Sequence, residues 1–191
     1  MNWANRLTVT RFFLTIAFVA AMTSQASYSH TAALAIFVVA SITDYLDGWI
    51  ARKYSMQTPF GALMDPLVDK IMTAAAFICL IPLGAIPAWV AVVIISREFV
   101  ITGLRLLAGS QGRVLSAESI GKHKTGWQIA TIIYFLVEYS VAELFPQLTL
   151  NASARHLASL GEMICLVAAV GLTIYSGITY LWRHRAIIQV E

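Results

Sequence analysis

Charged residues are scarce in this sequence. Asp, Glu, Lys and Arg make up 12% of its 191 residues, whereas an ordinary soluble domain contains about 25%. The chain also lacks a dense basic stretch with interleaved aromatic residues, which argues against nucleic-acid binding. The two cysteines, Cys79 and Cys165, both lie in apolar runs, so they predict neither a disulfide framework nor a metal site. Because 59% of the residues are hydrophobic, the composition indicates a protein whose main solvent is a lipid bilayer.

Six apolar runs approach the length of about 20 residues that a transmembrane helix needs. Short polar segments containing Gly or Pro separate them, and no linker divides the chain. We therefore expect one all-α, polytopic membrane domain over residues 1–191, with six transmembrane helices. The predicted spans are residues 7–22, 31–50, 63–81, 86–108, 127–145 and 160–182.

Basic residues fall in alternate loops between these runs. The loops after the first, third and fifth runs carry one basic residue, Arg155. By the positive-inside rule, both termini and the basic loops face the cytoplasm. We therefore expect a protein integral to the cytoplasmic membrane (the inner membrane of a bacterium). The basic residues on the cytoplasmic side include Arg6, Arg11, Arg52, Lys53, Arg113, Lys122, Lys124, Arg183 and Arg185.

All the aspartates of the chain lie close together in the sequence. They are Asp44, Asp47, Asp65 and Asp69, and each carboxylate in a membrane span costs about 2.5–3.5 kcal/mol on insertion scales. Separations of three and four residues place each pair on one face of a helix. An all-oxygen cluster suits hard cations such as Mg²⁺ or Mn²⁺, and four carboxylates are enough for two ions. The alternative is a set of interfacial charges that pair with nearby Arg and Lys.

Small residues accompany the aspartates. Gly48 follows Asp47 directly, Ala51 lies one helical turn later, and Gly61 precedes Asp65 by four residues. A residue without a Cβ atom lets a ligand approach the backbone closely. These positions suit a smooth surface for a flat base or a ribose, but close packing of helices through small residues explains them equally well.

The spacing of these residues resembles a known family signature. The run from Asp44 to Arg52, then eight residues, then the run from Gly61 to Asp69 matches D-x-x-D-G-x-x-A-R-x8-G-x-x-x-D-x-x-x-D at every fixed position. This is the pattern of the CDP-alcohol phosphotransferases. The resemblance implies the six-helix membrane bundle of that family, and transfer of a substituted phosphate group from a CDP-linked donor to an alcohol.

The resemblance also implies a role for each matched residue. Asp69 would be the general base that takes the proton from the acceptor hydroxyl, in a site open to the cytoplasm. Two Mg²⁺ or Mn²⁺ ions would be held by Asp44, Asp47, Asp65 and Asp69. The CDP donor would be contacted by Asn5, Thr8, Gly48, Ala51, Arg52 and Gly61.

Outside the signature, the opening segment 5–11 and the segments 96–105 and 121–125 are similar to family members that use CDP-diacylglycerol and sn-glycerol 3-phosphate. The resemblance implies these substrates, contact with membrane lipids, and a homodimer. The acceptor phosphate needs basic partners, and we expect them among Arg97, Arg105, Lys122 and Lys124. Arg11 would contact lipid or phosphate.

Other interpretations remain open for these residues and for the function. Lys122 and Lys124 could be topology signals only, Arg97 could form a structural pair with Glu98, and Arg11 could anchor lipid headgroups. An enzyme of the same family could use serine, inositol phosphate or a phospholipid as its acceptor. Intramembrane carboxylates would also suit a divalent-cation transporter, although transport gives no reason for the spacing of Gly48 and Arg52.

Overall fold

The described part of the chain is entirely helical. The computed structural model describes the backbone of residues 3–54, 59–112, 119–147 and 152–185, and the side chains of residues 9–43, 70–112, 123–147 and 153–185. Within these ranges there are six helices and no strand, which confirms the all-α prediction. The helices are α1 (Trp3–Thr23), α2 (Ser29–Tyr54), α3 (Pro59–Leu80), α4 (Ala88–Ser110), α5 (Ser119–Leu144) and α6 (Ala152–Arg183).

One helix of the described residues, Ser153–Arg183, is long and apolar enough to cross a membrane by length and composition. The apolar parts of α1, α2 and α3 are shorter, at Val9–Thr23, Ser29–Thr43 and Lys70–Leu80. The expectation of six helices is therefore confirmed within the described ranges, and the spanning of the bilayer by all six stays a prediction.

The helix boundaries differ from the predicted spans by one to eight residues, and the starts of α4 and α6 show two reasons. The fourth helix begins at Ala88 rather than at residue 86, because Pro87 takes an extended conformation with ψ of 147° as the N-cap. Residues 152–159, predicted as part of a polar loop, belong to α6. Arg155 therefore lies on a helix, since a helix can continue beyond the apolar part of its sequence wherever its residues have good helix propensity.

The helices pack around a core of apolar side chains. α1 contacts α2 and α3, α2 contacts α5, α5 contacts α3 and α6, and α4 contacts α3 and α6. Phe18 of α1, Phe37 of α2 and Phe77 of α3 are fully or almost fully buried, as are Ile94 of α4 and Leu136 of α5. In a bilayer, lipid tails are as apolar as these side chains, so close packing and not dehydration favours the arrangement.

Large apolar side chains also cover the outside of the bundle. On α6, Leu157, Met163, Val167, Ile178 and Trp182 are each more than 60% exposed. Exposed apolar surface on this scale is unfavourable in water and marks a surface that contacts lipid or another protein.

A carboxylate from α5 caps the N-terminus of α2. Glu143 accepts hydrogen bonds from the backbone N–H groups of His30 and Thr31, both at 2.9 Å, and from the Thr31 hydroxyl at 2.9 Å. The Nδ1 atom of His30 lies 2.6 Å from the same carboxylate. A negative charge at a helix N-terminus satisfies unpaired N–H groups and complements the helix dipole. This contact joins the two helices at the end of the bundle opposite the predicted cytoplasmic face.

Candidate active site

The acidic motif occupies two helices, as its spacing predicts. Asp44 and Asp47 belong to α2, and Asp65 and Asp69 belong to α3. Their side chains lie outside the described residues, so the convergence of the four carboxylates stays a prediction. Among the described residues, no group of three or more His, Cys, Asp and Glu could hold a metal ion.

The predicted donor-binding residues also lie on helices whose side chains at these positions fall outside the described part. Asn5 and Thr8 are in α1, Gly48, Ala51 and Arg52 are in α2, and Gly61 is in α3. Their contact with a CDP group therefore stays a prediction. The same holds for Lys122, which lies in the first turn of α5.

A cavity of about 260 Å³ lies beside the acidic motif. Lys70, which follows Asp69 directly, and Ser41, three residues before Asp44, both line it. The polar lining residues are Arg11, Ser41, Lys70, Thr73, Glu98, Thr125 and Gln128. The remaining lining residues are apolar and include Phe37, Met72, Ile94, Phe99 and Ile129. The cavity lining thus combines polar and apolar side chains, as a site for an amphiphilic substrate requires.

Glu98 gathers three cationic side chains from three helices. Its Oε2 atom accepts a hydrogen bond from Lys70 Nζ of α3 at 2.8 Å. Its Oε1 atom lies 3.2 Å from Nη1 of Arg97, its neighbour on α4, and also accepts a hydrogen bond from Lys124 Nζ of α5. The side chain of Glu98 is 12% exposed. We call Lys70, Arg97, Glu98 and Lys124 the charge cluster.

Lys124 is the most deeply buried member of the charge cluster, with 3% of its side chain exposed. Removing a buried charge from water costs several kcal/mol unless a partner compensates it. Glu98 supplies that partner. A lysine that served only as a topology signal would have no need of such burial, because solvated surface lysines carry that signal equally well.

Arg97 is held by contacts with α6. Its Nη2 atom donates a hydrogen bond to the hydroxyl of Ser176 at 3.2 Å. Gly177 is buried on the same helix, and a Cβ atom there would lie 3.1 Å from Cγ of Arg97. The missing side chain at position 177 therefore makes room for the arginine. The Nε atom of Arg97 is buried without a hydrogen-bond partner among the described residues.

The structure brings together some of the predicted acceptor-binding residues. Arg97 and Lys124 meet in the charge cluster, and the predicted pair of Arg97 with Glu98 is present within it. Arg11 lines the cavity. Arg105, two turns beyond Arg97 on α4, is exposed and does not line the cavity.

Two polar residues of this region were not predicted as part of a site. Gln128 is 2% exposed, lines the cavity, and donates a hydrogen bond through Nε2 to the Thr173 hydroxyl at 3.0 Å. The available signal was its position four residues after Lys124, on the same face of α5. Lys70 follows Asp69 directly, and this adjacency was the available signal for it.

Comparison with known proteins places the chain in a family. A family model described as CDP-alcohol phosphatidyltransferase matches residues 1–175. The chain is 36% identical over 185 residues to a probable phosphatidylglycerophosphate synthase of Mycobacterium tuberculosis, covering 95% of the chain and 81% of that protein. It is 33% identical over 193 residues to a CDP-diacylglycerol--glycerol-3-phosphate 3-phosphatidyltransferase of Pseudomonas fluorescens, covering 96% and 92%. A Bacillus subtilis protein of the same name is 44% identical over 120 residues, 62% of either chain. The chain belongs to the CDP-alcohol phosphatidyltransferase family of enzymes.

Proposed function

We propose that this enzyme transfers the phosphatidyl group of CDP-diacylglycerol to sn-glycerol 3-phosphate, releasing CMP and forming phosphatidylglycerol phosphate. The observation that carries the proposal is the charge cluster, of which Lys70 and Glu98 line a cavity next to the family's acidic motif, while Arg97 and Lys124 bind Glu98 from behind that lining. The names of the related proteins from Pseudomonas fluorescens and Bacillus subtilis support the same donor and acceptor.

The charge cluster suits the phosphate of the acceptor. Three cations and one carboxylate leave two positive charges, and a phosphate monoester carries a charge of about −1.5 to −2 at pH 7. Lys70, Arg97 and Lys124 together offer several N–H donors, of which Arg97 can form a bidentate pair with phosphate oxygens. Serine carries no phosphate, so the cluster favours a phosphorylated acceptor. Inositol phosphate also meets this condition, and the choice between the two phosphates needs an experiment.

The position of Lys70 relates the phosphate to the reacting hydroxyl. Lys70 follows Asp69 in α3, and adjacent Cα atoms are about 3.8 Å apart. An acceptor whose phosphate is held by Lys70 therefore lies near Asp69, and we propose that its free end extends toward this residue. We assign to Asp69 the removal of the proton from that hydroxyl. The hydroxyl oxygen then forms a bond to the phosphorus that bears diacylglycerol, and the bond from this phosphorus to the oxygen of CMP breaks.

The four aspartates fit a pair of divalent cations by the chemistry of their donor set. Carboxylate oxygens are the ligands that Mg²⁺ and Mn²⁺ prefer, and the family is in general divalent-metal dependent. Asp44, Asp47, Asp65 and Asp69 would hold the ions. When bound, such ions neutralise the pyrophosphate of the donor and the CMP that leaves.

The lipid donor sets the location of the site. The family comprises membrane-associated enzymes of phospholipid synthesis, and the exposed apolar residues of α6 suit contact with lipid. We propose that all six helices span the cytoplasmic membrane, that both termini and the site face the cytoplasm, and that two copies form a homodimer. The diacylglycerol part would remain in the inner leaflet while the polar groups react at the membrane surface.

An acceptor panel tests this function. Purified protein in mixed micelles is given CDP-diacylglycerol and one acceptor at a time, namely glycerol 3-phosphate, inositol phosphate, serine or phosphatidylglycerol, with and without Mg²⁺. We expect CMP release with glycerol 3-phosphate in the presence of Mg²⁺. CMP release with serine or phosphatidylglycerol, and none with glycerol 3-phosphate, would overturn the proposed acceptor. The assignment of the chain to its family would be unaffected.

A further inference from the structure

Gln128 lines the cavity, is 2% exposed, and does not belong to the charge cluster. We propose that its amide binds the C2 hydroxyl of the acceptor and so determines which phosphorylated alcohol the enzyme accepts. This inference rests on the proposed function.

The orientation of the Gln128 amide follows from its partner. The Thr173 hydroxyl donates its proton to the carbonyl oxygen of Ala169 at 2.6 Å. Its oxygen can therefore only accept from Gln128, and this places the amide nitrogen Nε2 toward Thr173 at 3.0 Å. This is the only hydrogen bond that the side chain makes to a described residue. The carbonyl oxygen Oε1 is left as an acceptor, on a residue that lines the cavity.

This amide oxygen is accessible from the cavity that the residue lines. Gln128 as a whole is 2% exposed, yet none of its atoms is among the buried side-chain atoms of the described residues that lack a hydrogen-bond partner. A hydroxyl of a bound substrate can therefore reach the oxygen and donate a hydrogen bond to it. The cavity has three other neutral polar lining residues, and all are more exposed than Gln128: Ser41, Thr73 and Thr125.

The distance from the charge cluster suits glycerol 3-phosphate. Gln128 lies four residues after Lys124, about 6 Å farther along the same face of α5. In the acceptor, the ester oxygen and two carbons connect the phosphorus to the C2 hydroxyl, a comparable reach. With its phosphate at the charge cluster, where Lys70 lines the cavity, and its C1 hydroxyl toward Asp69, the acceptor places its C2 hydroxyl toward Gln128. Three contacts would then fix its orientation.

The alternative is that Gln128 only joins α5 to α6 through Thr173. Two acceptors distinguish this structural role from recognition: glycerol 3-phosphate, and 3-hydroxypropyl phosphate, which has the same phosphate and primary hydroxyl but no C2 hydroxyl. The variant Gln128→Met keeps the length of the side chain and removes its hydrogen-bonding groups. Thr131→Val is a matched control, because Thr131 is fully buried on α5, binds the backbone of Cys165 on α6 at 3.0 Å, and does not line the cavity.

We expect wild-type protein to prefer glycerol 3-phosphate by about tenfold or more in kcat/KM, as a lost hydrogen bond in a buried site implies. In Q128M, kcat/KM for glycerol 3-phosphate should fall to the value for 3-hydroxypropyl phosphate. The kcat/KM for 3-hydroxypropyl phosphate should differ less than twofold between Q128M and wild type. In T131V, the ratio of the two values should equal that of wild type. If Q128M does not fold in detergent, Gln128→Asn, which withdraws the amide by one methylene, should also lose the preference.

Two results would overturn the inference while leaving the proposed function in place. One is a wild-type enzyme that uses both acceptors equally well. The other is a folded Q128M or Q128N protein that loses activity with both acceptors by the same factor, which would make Gln128 a purely structural link. Absence of turnover with either phosphate acceptor in wild-type protein, together with turnover of serine, would instead overturn the proposed function and this inference with it.

Discussion

Replacement of Glu98 by Gln should separate acceptor binding from donor binding. The change keeps the size of the side chain and removes the charge that holds Lys70, Arg97 and Lys124 together. With 3% of its side chain exposed, Lys124 would lose its counter-charge in a position that water hardly reaches. Its ammonium would then move toward solvent or give up its proton, so the phosphate would lose a preformed donor.

The structure sets the size of this effect. Removing one partner of a buried ion pair costs about 3–5 kcal/mol, and the lower end applies because Lys70 is 24% exposed and can turn toward water. We therefore expect E98Q to lower the free energy of unfolding by about 3 kcal/mol. Loss of one charged hydrogen bond to the phosphate, at about 1.5–3 kcal/mol, should raise KM for glycerol 3-phosphate by about 10- to 100-fold.

The assay is the rate of CMP release at varied glycerol 3-phosphate, and then at varied CDP-diacylglycerol. KM for the donor should change less than threefold, because none of the predicted donor-binding residues belongs to the charge cluster. Glu162→Gln is the control, since Glu162 lies on α6 outside the cavity and the substitution removes the same charge. A folded E98Q protein with the wild-type KM for glycerol 3-phosphate would refute the role of the cluster in phosphate binding.

Three further predictions concern other parts of the molecule. Asp69→Asn should lower kcat by about 10²- to 10⁴-fold, as loss of a general base does, while CDP-diacylglycerol binding measured by titration stays within a fewfold; a wild-type rate would exclude Asp69 as the base. Gly177→Ala should displace Arg97, whose Cγ would lie 3.1 Å from the new Cβ, and raise KM for glycerol 3-phosphate about two- to fivefold. Gly171→Ala on the same helix meets nothing within 4 Å and should leave KM unchanged; equal effects of both would contradict displacement of Arg97. Glu143→Gln should lower the midpoint of thermal unfolding by weakening the cap of α2 by about 1–3 kcal/mol, with KM unchanged; an unchanged midpoint would show that the cap contributes little.

The helices could be predicted from the sequence because apolar runs of about 20 residues leave few alternatives. The boundaries were less certain, since they depend on local geometry. Pro87 shortens the fourth helix at its start, and the polar segment 152–159 extends the sixth. Composition alone cannot distinguish a polar loop from a polar helical turn, because both contain Ser, Ala and Arg.

The charge cluster could be predicted only in part. Arg97 and Glu98 are neighbours, so their pairing was visible in the sequence, whereas Lys70 and Lys124 are 28 and 26 residues from Glu98. Their meeting depends on how α3, α4 and α5 pack, which no local pattern specifies. Arg105 illustrates the same limit. Its position about 80° from Arg97 around α4 indicated a shared face, yet the structure leaves it exposed and away from the cavity.

Gln128 and Glu143 were not predicted because their partners belong to other helices. Gln128 binds Thr173 of α6, and Glu143 binds the first turn of α2. His30 likewise lies against Glu143 of α5 and stacks on Tyr139 of the same helix. A single polar residue in an apolar run indicates that a partner exists, and the structure is needed to identify it.

Binding of Mn²⁺, followed by the loss of its free EPR signal on titration with protein, tests most directly whether the carboxylates of α2 and α3 form one site. Wild-type protein should bind about two ions, and Asp47→Asn in α2 and Asp65→Asn in α3 should each abolish or greatly weaken that binding, because each ion needs ligands from both helices. Undiminished Mn²⁺ binding in either variant would mean that the two helices do not share the ions, and the proposed chemistry would then have no metal site.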